Sequence, residues 1–332
     1  MKNGEELDKA YDDTVNRIEN QGQSIRELAK KTLFWIVFAK TPLTTEELRH
    51  ALAVEPGTCG LDENHLYLVE DMVFSCAGLV TIDNNIIRLV HYTTIEYFKR
   101  RGMKAFENVQ RDIITISCLT YLSYDVFADG FLARSDLKSR LRHNPFFKYA
   151  AQNWAYHIQY TQHSVEDLAL KFLMDDGKAS ASSQVLFLDP PERFCGTHLV
   201  AYFGLTDIMV RLLEEKDPDT KDSFGRTPLS YAAERGNAQL VELLLNYNVD
   251  LNSKCRAGRT PLSRAIEGGS TAVVQILSAQ QQQQARSDFR WYCGSCMQGP
   301  YSSWTTKCIE PACQHPLNDD CLRIYSNHMN HY

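Results

Sequence analysis

Five of the ten cysteines crowd into 29 positions near the end of the chain: Cys293, Cys296, Cys308, Cys313 and Cys321, with His315 among them. Cys293-Gly294-Ser295-Cys296 is a C-x2-C knuckle, a turn that sets two thiolates on one ion. Zinc prefers thiolate and imidazole in a tetrahedron, and a second pair from Cys308, Cys313, His315 or Cys321 would close a structural site with no open position. Those six donors exceed four, so either a second ion is bound or two are spares; His328 and His331 add to the choice. Runs of the C-x2-C-x2-C kind that hold iron–sulfur clusters are absent. The expected cofactor is structural Zn2+.

Around those donors the chain must supply a small fold. Residues 291–332 are too few to bury much core, so metal would contribute a large share of the folding free energy, with Trp291, Tyr292, Tyr301 and Trp304 as the small apolar centre. The other five cysteines are scattered between Cys59 and Cys255 and read as buried thiols of a reducing compartment. The first residues are acidic and lack the apolar core of a signal peptide. A cytoplasmic location is expected, with the nucleus as second choice. A net charge of −6 gives no global field to attract nucleic acid or an anionic membrane. Leu33–Ala39, the most apolar run, is far below the roughly 20 residues of a spanning helix.

No other chemistry competes. The chain holds no G-x-x-x-x-G-K-[ST] phosphate loop, no G-x-S-x-G elbow and no H-E-x-x-H. Cys76 and His91 each end an apolar run and read as packing residues, His91 pinning a strand-to-helix corner. No catalytic residue and no small-molecule substrate are expected. A RING-like ubiquitin ligase is the enzymatic alternative: Cys293, Cys296, Cys313 and His315 fit the first half of its ligand pattern. Asn318 stands where the next cysteine belongs, and the final C-x2-C pair is missing.

The elements are mainly helical. Leu7, Tyr11, Val15 and Ile18 recur at helical spacing, as do Leu28, Leu33, Trp35 and Ile36. Thr44 before Thr45-Glu46-Glu47-Leu48 is an N-cap, and a third helix fits about Asn64 to Cys76. Leu79–Asp83 and Ile86–Val90 are strand-like runs joined at Asn84-Asn85, a hairpin signal, and Thr93 or Thr94 can cap a further helix. This order is that of a winged helix over 26–102, preceded by an N-terminal helix in 1–25. A winged-helix transcription regulator is the second alternative, yet from Cys59 to Gly78 there are four carboxylates and no Lys or Arg, which opposes contact with phosphates. Residues 103–178 read as a helical connector, and Gly177-Lys178-Ala179-Ser180-Ala181-Ser182-Ser183 reads as a loop.

A repeat comes next. Phe224-Gly225-Arg226-Thr227-Pro228-Leu229 returns 33 residues later as Ala257-Gly258-Arg259-Thr260-Pro261-Leu262. A weaker copy around Thr197-His198-Leu199 has Cys195-Gly196-Thr197 where Thr-Pro-Leu belongs. These residues resemble ankyrin repeats, and about three copies are expected over 190–279. The resemblance implies a protein-binding face with its contacts at the loop tips: Lys221, Asp222, Ser223, Phe224 and Arg226 in one loop, and Ser253, Lys254, Arg256 and Arg259 in the next. Residues 280–290, with Gln280 to Gln284, read as a polar linker or a helix extension.

The N-terminal half adds a sharper resemblance. Leu7-Asp8-Lys9-Ala10-Tyr11, Pro42-Leu43-Thr44, Cys76-Ala77-Gly78-Leu79-Val80, Leu89-Val90-His91-Tyr92-Thr93-Thr94 and Tyr149-Ala150-Ala151-Gln152-Asn153-Trp154 are similar to the region after the NACHT domain in fungal NACHT–ankyrin proteins of the STAND NTPase class. That region includes the winged helix named after GPI inositol-deacylase. The family's ATP-binding domain would precede residue 1, so ATPase activity does not carry over to these residues. The expectation is a non-enzymatic adaptor or scaffold: winged helix, helical domain, ankyrin solenoid and zinc module. Its partners would be other proteins, among them a NACHT-bearing chain, and not nucleic acid or membrane.

Overall fold

The computed structural model describes residues 2–101, 112–159, 165–287, 289–292, 301–302 and 322–325. The chain divides into two compact units, Met1–Pro228 and Leu229–Tyr332.

The first unit opens with α1 (Lys2–Glu19), α2 (Gln23–Phe38), α3 (Thr45–Ala53), α4 (Val69–Ser75), β1 (Val80–Asp83), β2 (Ile86–Leu89) and α5 (Tyr92–Arg101). The cap of α3 is reciprocal: Glu47 N–H donates to Thr44 Oγ1 at 3.2 Å, and Thr44 N–H donates to Glu47 Oε2 at 2.8 Å. β1 and β2 pair antiparallel from Val80 opposite Leu89 to Asp83 opposite Ile86. The joining Asn84 and Asn85 have φ of 50° and 64°, the left-handed pair that matches the twist of the flanking strands. The third helix is shorter than its sequence suggests, because Glu63–His65 forms a separate 3-10 turn and the helix starts only at Val69.

Next come α6 (Ile113–Leu122), α7 (Arg134–His143), α8 (Phe146–Ile158), α9 (Glu166–Met174) and α10 (Asp176–Ser183). Their core is continuous with that of the winged helix. Trp35 of α2, fully buried, meets Phe146 edge-on at 5.5 Å and Tyr149 at 6.0 Å. Nδ1 of His50 in α3 lies 2.9 Å from the Tyr121 hydroxyl in α6. The winged helix and the helical segment therefore share one aromatic interior.

The stretch 177–183 is a helix, not the loop its composition suggests. Asp175 Oδ1 caps it by accepting from Lys178 N–H at 3.1 Å. The Ser182 and Ser183 hydroxyls donate back to the carbonyls of Ala179 and Ser180 at 2.8 Å, so both serines satisfy themselves while fully buried. A Cβ at Gly177 would lie 2.3 Å from the carbonyl oxygen of Ala128, so the small residues there permit close packing. The unit ends with α11 (Gly196–Phe203) and α12 (Thr206–Leu212).

The second unit holds most of α13 (Pro228–Glu234), then α14 (Ala238–Leu245), α15 (Pro261–Glu267) and α16 (Thr271–Ser287). Leu240, Val241, Leu244, Val273 and Leu277 are buried between the helices. Of the two readings of Gln280–Gln284, linker or helix extension, the structure shows the extension: α16 passes through the run without interruption. Beyond it β3 (Phe289–Tyr292) pairs antiparallel with β4 (Tyr301–Ser302) on one side and β5 (Leu322–Tyr325) on the other.

Candidate protein-binding loops

The repeat shows in the hydrogen bonds as well as in the letters. Asp219 N–H donates to Asp217 Oδ1, and 33 residues on Asn252 N–H donates to Asp250 Oδ1, both at 2.9 Å. Asp222 N–H donates to the Arg226 carbonyl, as Cys255 N–H does to that of Arg259, both at 3.0 Å. Gly225 and Gly258 close these turns with φ of 73° each. Between paired helices the turn falls on Gly204, Gly236 and Gly269, with φ of 76°, 74° and 73°.

These turns decide which loop side chains face solvent. Lys221, Lys254, Arg256 and Arg259 are exposed, whereas Ser223, Phe224 and Arg226 are half-buried. Lys221, Lys254 and Arg256 take part in no ion pair among the described residues, while Arg259 holds Glu267 at 2.6 Å. Asp222 and Ser253, expected at the contact surface, are instead buried. Asp222 builds its loop: Oδ1 accepts from Phe224 N–H at 2.8 Å and Arg226 N–H at 2.9 Å. The repeat places Cys255 at the corresponding position. Burial pushes its thiol up, but the amides of Arg259 and Ala257, with Arg264, bring it below the ordinary thiol range.

Two families match the chain: "GPI inositol-deacylase, winged helix domain" over residues 17–109 and "Ankyrin repeats (3 copies)" over residues 197–288. The chain carries a winged helix of that type and ankyrin repeats. Among curated proteins, Delta-latroinsectotoxin-Lt1a of Latrodectus tredecimguttatus is 45 % identical over 60 residues, 17 % of this chain and 5 % of the toxin. Putative ankyrin repeat protein FPV244 of Fowlpox virus (strain NVSL) is 56 % identical over 36 residues, 11 % of this chain and 5 % of that protein. The matches thus span about one-twentieth of either relative's length. Ankyrin repeats are non-catalytic interaction modules, and a protein–protein interaction role follows for this part of the chain.

The first repeat contains a pair that the sequence alone did not single out. Cys195 precedes α11 at the position of Thr227 and Thr260, and its Sγ lies 2.9 Å from Nδ1 of His198 and 3.1 Å from Thr197 Oγ1. His198 Nε2 donates to the Arg226 carbonyl at 3.1 Å. Burial pushes the thiol up, but the hydrogen bond and charge of His198 outweigh it and hold Cys195 below the ordinary thiol range. Burial pushes His198 down, and Cys195, joined by the charge of Asp222 and the Arg226 carbonyl, more than restores it. Both shifts favour moving the thiol proton onto Nδ1, at the cost of the 3.3 Å bond that Nδ1 accepts from Cys195 N–H. The signal that could have found this pair is the repeat register, which aligns Cys195 with two threonines.

Cys76 is fully buried and its thiol is pushed up to about 12 by burial, the behaviour of a packing residue. His91 is exposed and pins the start of α5, its Nδ1 2.7 Å from Thr93 Oγ1. The six metal-ligand candidates Cys293, Cys296, Cys308, Cys313, His315 and Cys321 lie outside the described residues. Among the described residues no cluster of three or more His, Cys, Asp or Glu is placed to hold a metal ion, and no helix is long and apolar enough to cross a membrane.

Proposed function

We propose that this chain is a non-enzymatic scaffold or adaptor that binds a partner protein through the tips of its ankyrin loops. The observation that carries this reading is the recurrence, 33 residues apart, of the same hydrogen-bonded turn with an exposed lysine at its start, Lys221 and Lys254. A rigid turn that repeats while its outermost side chains stay unpaired suits recognition, since ordering it on binding costs little entropy. Lys221, Lys254, Arg256 and Arg259 are the principal contacts in this reading, with Phe224 contributing at the edge.

The winged helix and helical segment would act as the regulatory half of a STAND-type assembly, docking to a NACHT-bearing chain. The support is their single shared interior, which packs both into one compact unit. The cysteine-rich tail would bind structural zinc, a reading that rests on the C-x2-C spacing and the crowding of Cys and His donors in the sequence.

Proximity labelling with the full chain tests the scaffold reading. Lys254→Glu combined with Arg256→Glu should remove a defined subset of labelled proteins while the circular dichroism spectrum stays unchanged. An identical labelled set would overturn the assignment of these loops. For the tail, metal analysis of the purified full chain should return at least one zinc, and Cys293→Ser with Cys296→Ser should reduce it.

A further inference from the structure

The winged helix carries a second surface that the ankyrin reading does not use. Phe74 of α4 is 74 % exposed, Leu68 just before the helix is 60 % exposed, and Tyr67 is 37 % exposed. Phe74 stands bare on a helix whose other face, through Met72 and Ser75, is wholly buried, and Tyr67 and Leu68 are exposed in the extended backbone that leads into it. Within α4, Glu70 and Phe74 stand at i, i+4 and Asp71 and Phe74 at i, i+3, so both carboxylates adjoin Phe74 on the helix surface, and all three are exposed. Glu70 and Asp71, like nearby Glu63, take part in no ion pair among the described residues. Arg49, which reaches this segment from α3, is already held: its Nε donates to the Tyr67 carbonyl at 2.7 Å and Nη1 pairs with Glu46 at 3.0 Å.

We propose that this face docks a basic amphipathic segment of another protein, with an apolar side chain of the partner set against Phe74 and Leu68 and its Lys or Arg against Glu70, Asp71 and Glu63. Charge decides the class of occupant. The segment from Cys59 to Gly78 has no Lys or Arg, so a nucleic acid or an acidic peptide would meet only repulsion. Carboxylates left without partners around an apolar centre are complementary to the reverse arrangement. The footprint is small, since a helix of seven residues is about 10 Å long at 1.5 Å per residue. Affinity in the micromolar range is therefore expected for this face alone, enough to add avidity to a contact made elsewhere.

The test uses the full chain and fluorescence anisotropy with three synthetic labelled peptides: a Lys/Leu amphipathic helix, a Lys/Ser peptide of equal charge, and a Glu/Leu amphipathic helix. The Lys/Leu peptide should bind and the other two should bind at least about tenfold more weakly. Phe74→Ser leaves the charge unchanged at a side chain that is 74 % exposed, and it should weaken the Lys/Leu peptide by about fivefold or more. Glu70→Lys with Asp71→Lys should abolish binding, as should high salt. Equal binding of the Lys/Ser peptide, or unchanged binding by Phe74→Ser, would overturn the proposal. So would sedimentation showing that the chain self-associates until Phe74→Ser separates it, since the occupant would then be a second copy. The ankyrin variants Lys254→Glu and Arg256→Glu should leave this peptide binding unaltered, so failure here and failure of the scaffold reading give different results.

Discussion

The Sγ of Cys195 lies 2.9 Å from Nδ1 of His198, across the first turn of the helix that opens the first ankyrin repeat. In the third repeat the same place is held by Thr260, whose Oγ1 accepts from Ser263 N–H at 3.3 Å. The cysteine thus takes the position of a capping threonine. Cys195→Thr should leave stability within about 0.5 kcal/mol of the parent, whereas Cys195→Ala should lose about 1 kcal/mol or more. Urea unfolding followed by circular dichroism separates the two. Equal losses from Thr and Ala would show that the sulfur itself, and not the cap, is what matters.

Gly196 stands where Pro228 and Pro261 stand in the later repeats. Completing the pattern by Gly196→Pro looks favourable in sequence, and the structure forbids it. A Cβ at Gly196 would lie 2.1 Å from the carbonyl oxygen of Leu173 in α9, a backbone atom that cannot swing aside. Even Gly196→Ala should cost about 1–3 kcal/mol. A thermal midpoint equal to or above that of the parent would refute this.

A similar approach exists in the second unit. A Cβ at Gly268 would lie 2.2 Å from the Glu234 carbonyl oxygen, whereas one at Gly258 meets nothing within 4 Å. Gly258 nevertheless has φ of 73°, so Gly258→Ala carries backbone strain of about 1 kcal/mol. Gly268→Ala should be the more damaging of the two, because it must move a helix end. Comparing their unfolding midpoints decides the matter.

Acid should weaken the first unit through His157. Lys40 N–H donates to the Tyr149 hydroxyl at 3.0 Å, which leaves that hydroxyl to donate to His157 Nε2, also at 3.0 Å. An imidazole that accepts there must be unprotonated. Burial, and then the charge of Lys40, lower its pKa from 6.5 to about 4. Between these values the unfolded chain binds a proton that the folded chain refuses. Stability is therefore full above about pH 6.5 and falls as pH drops toward 4, by up to about 3 kcal/mol. Burial lowers His50 in the same direction. His157→Gln should be less stable than the parent at pH 7 and should close that gap by pH 4.5. A gap that stays constant with pH would sink the linkage.

Most of the architecture could be read from spacing. The winged helix followed from two apolar runs joined at Asn84-Asn85, and the ankyrin repeats from a 33-residue return of Gly-Arg-Thr-Pro-Leu. What could not be read is where polar residues are satisfied internally. Ser182 and Ser183 have the composition of a loop, and only their bonds to Ala179 and Ser180 make them helix. Asp222 has the look of a surface charge, and only its two backbone amides reveal it as the frame of a turn. The meaning of Gly196 was also hidden, because it depends on Leu173, far away in sequence.

Trp154 of α8 is fully buried and meets Phe172 of α9 at 5.8 Å and Phe203 of α11 at 5.6 Å, both edge-on. Phe203 lies within the segment recognised as ankyrin, and Trp154 lies well before it. Cutting the chain between them would strip one ring from each side of a closed aromatic contact. The seam at which this protein could exchange its repeats for others does not coincide with the edge of the recognisable repeat. A graft that keeps α11 with its native α8 and α9, and replaces only residues C-terminal to α11, leaves this joint whole.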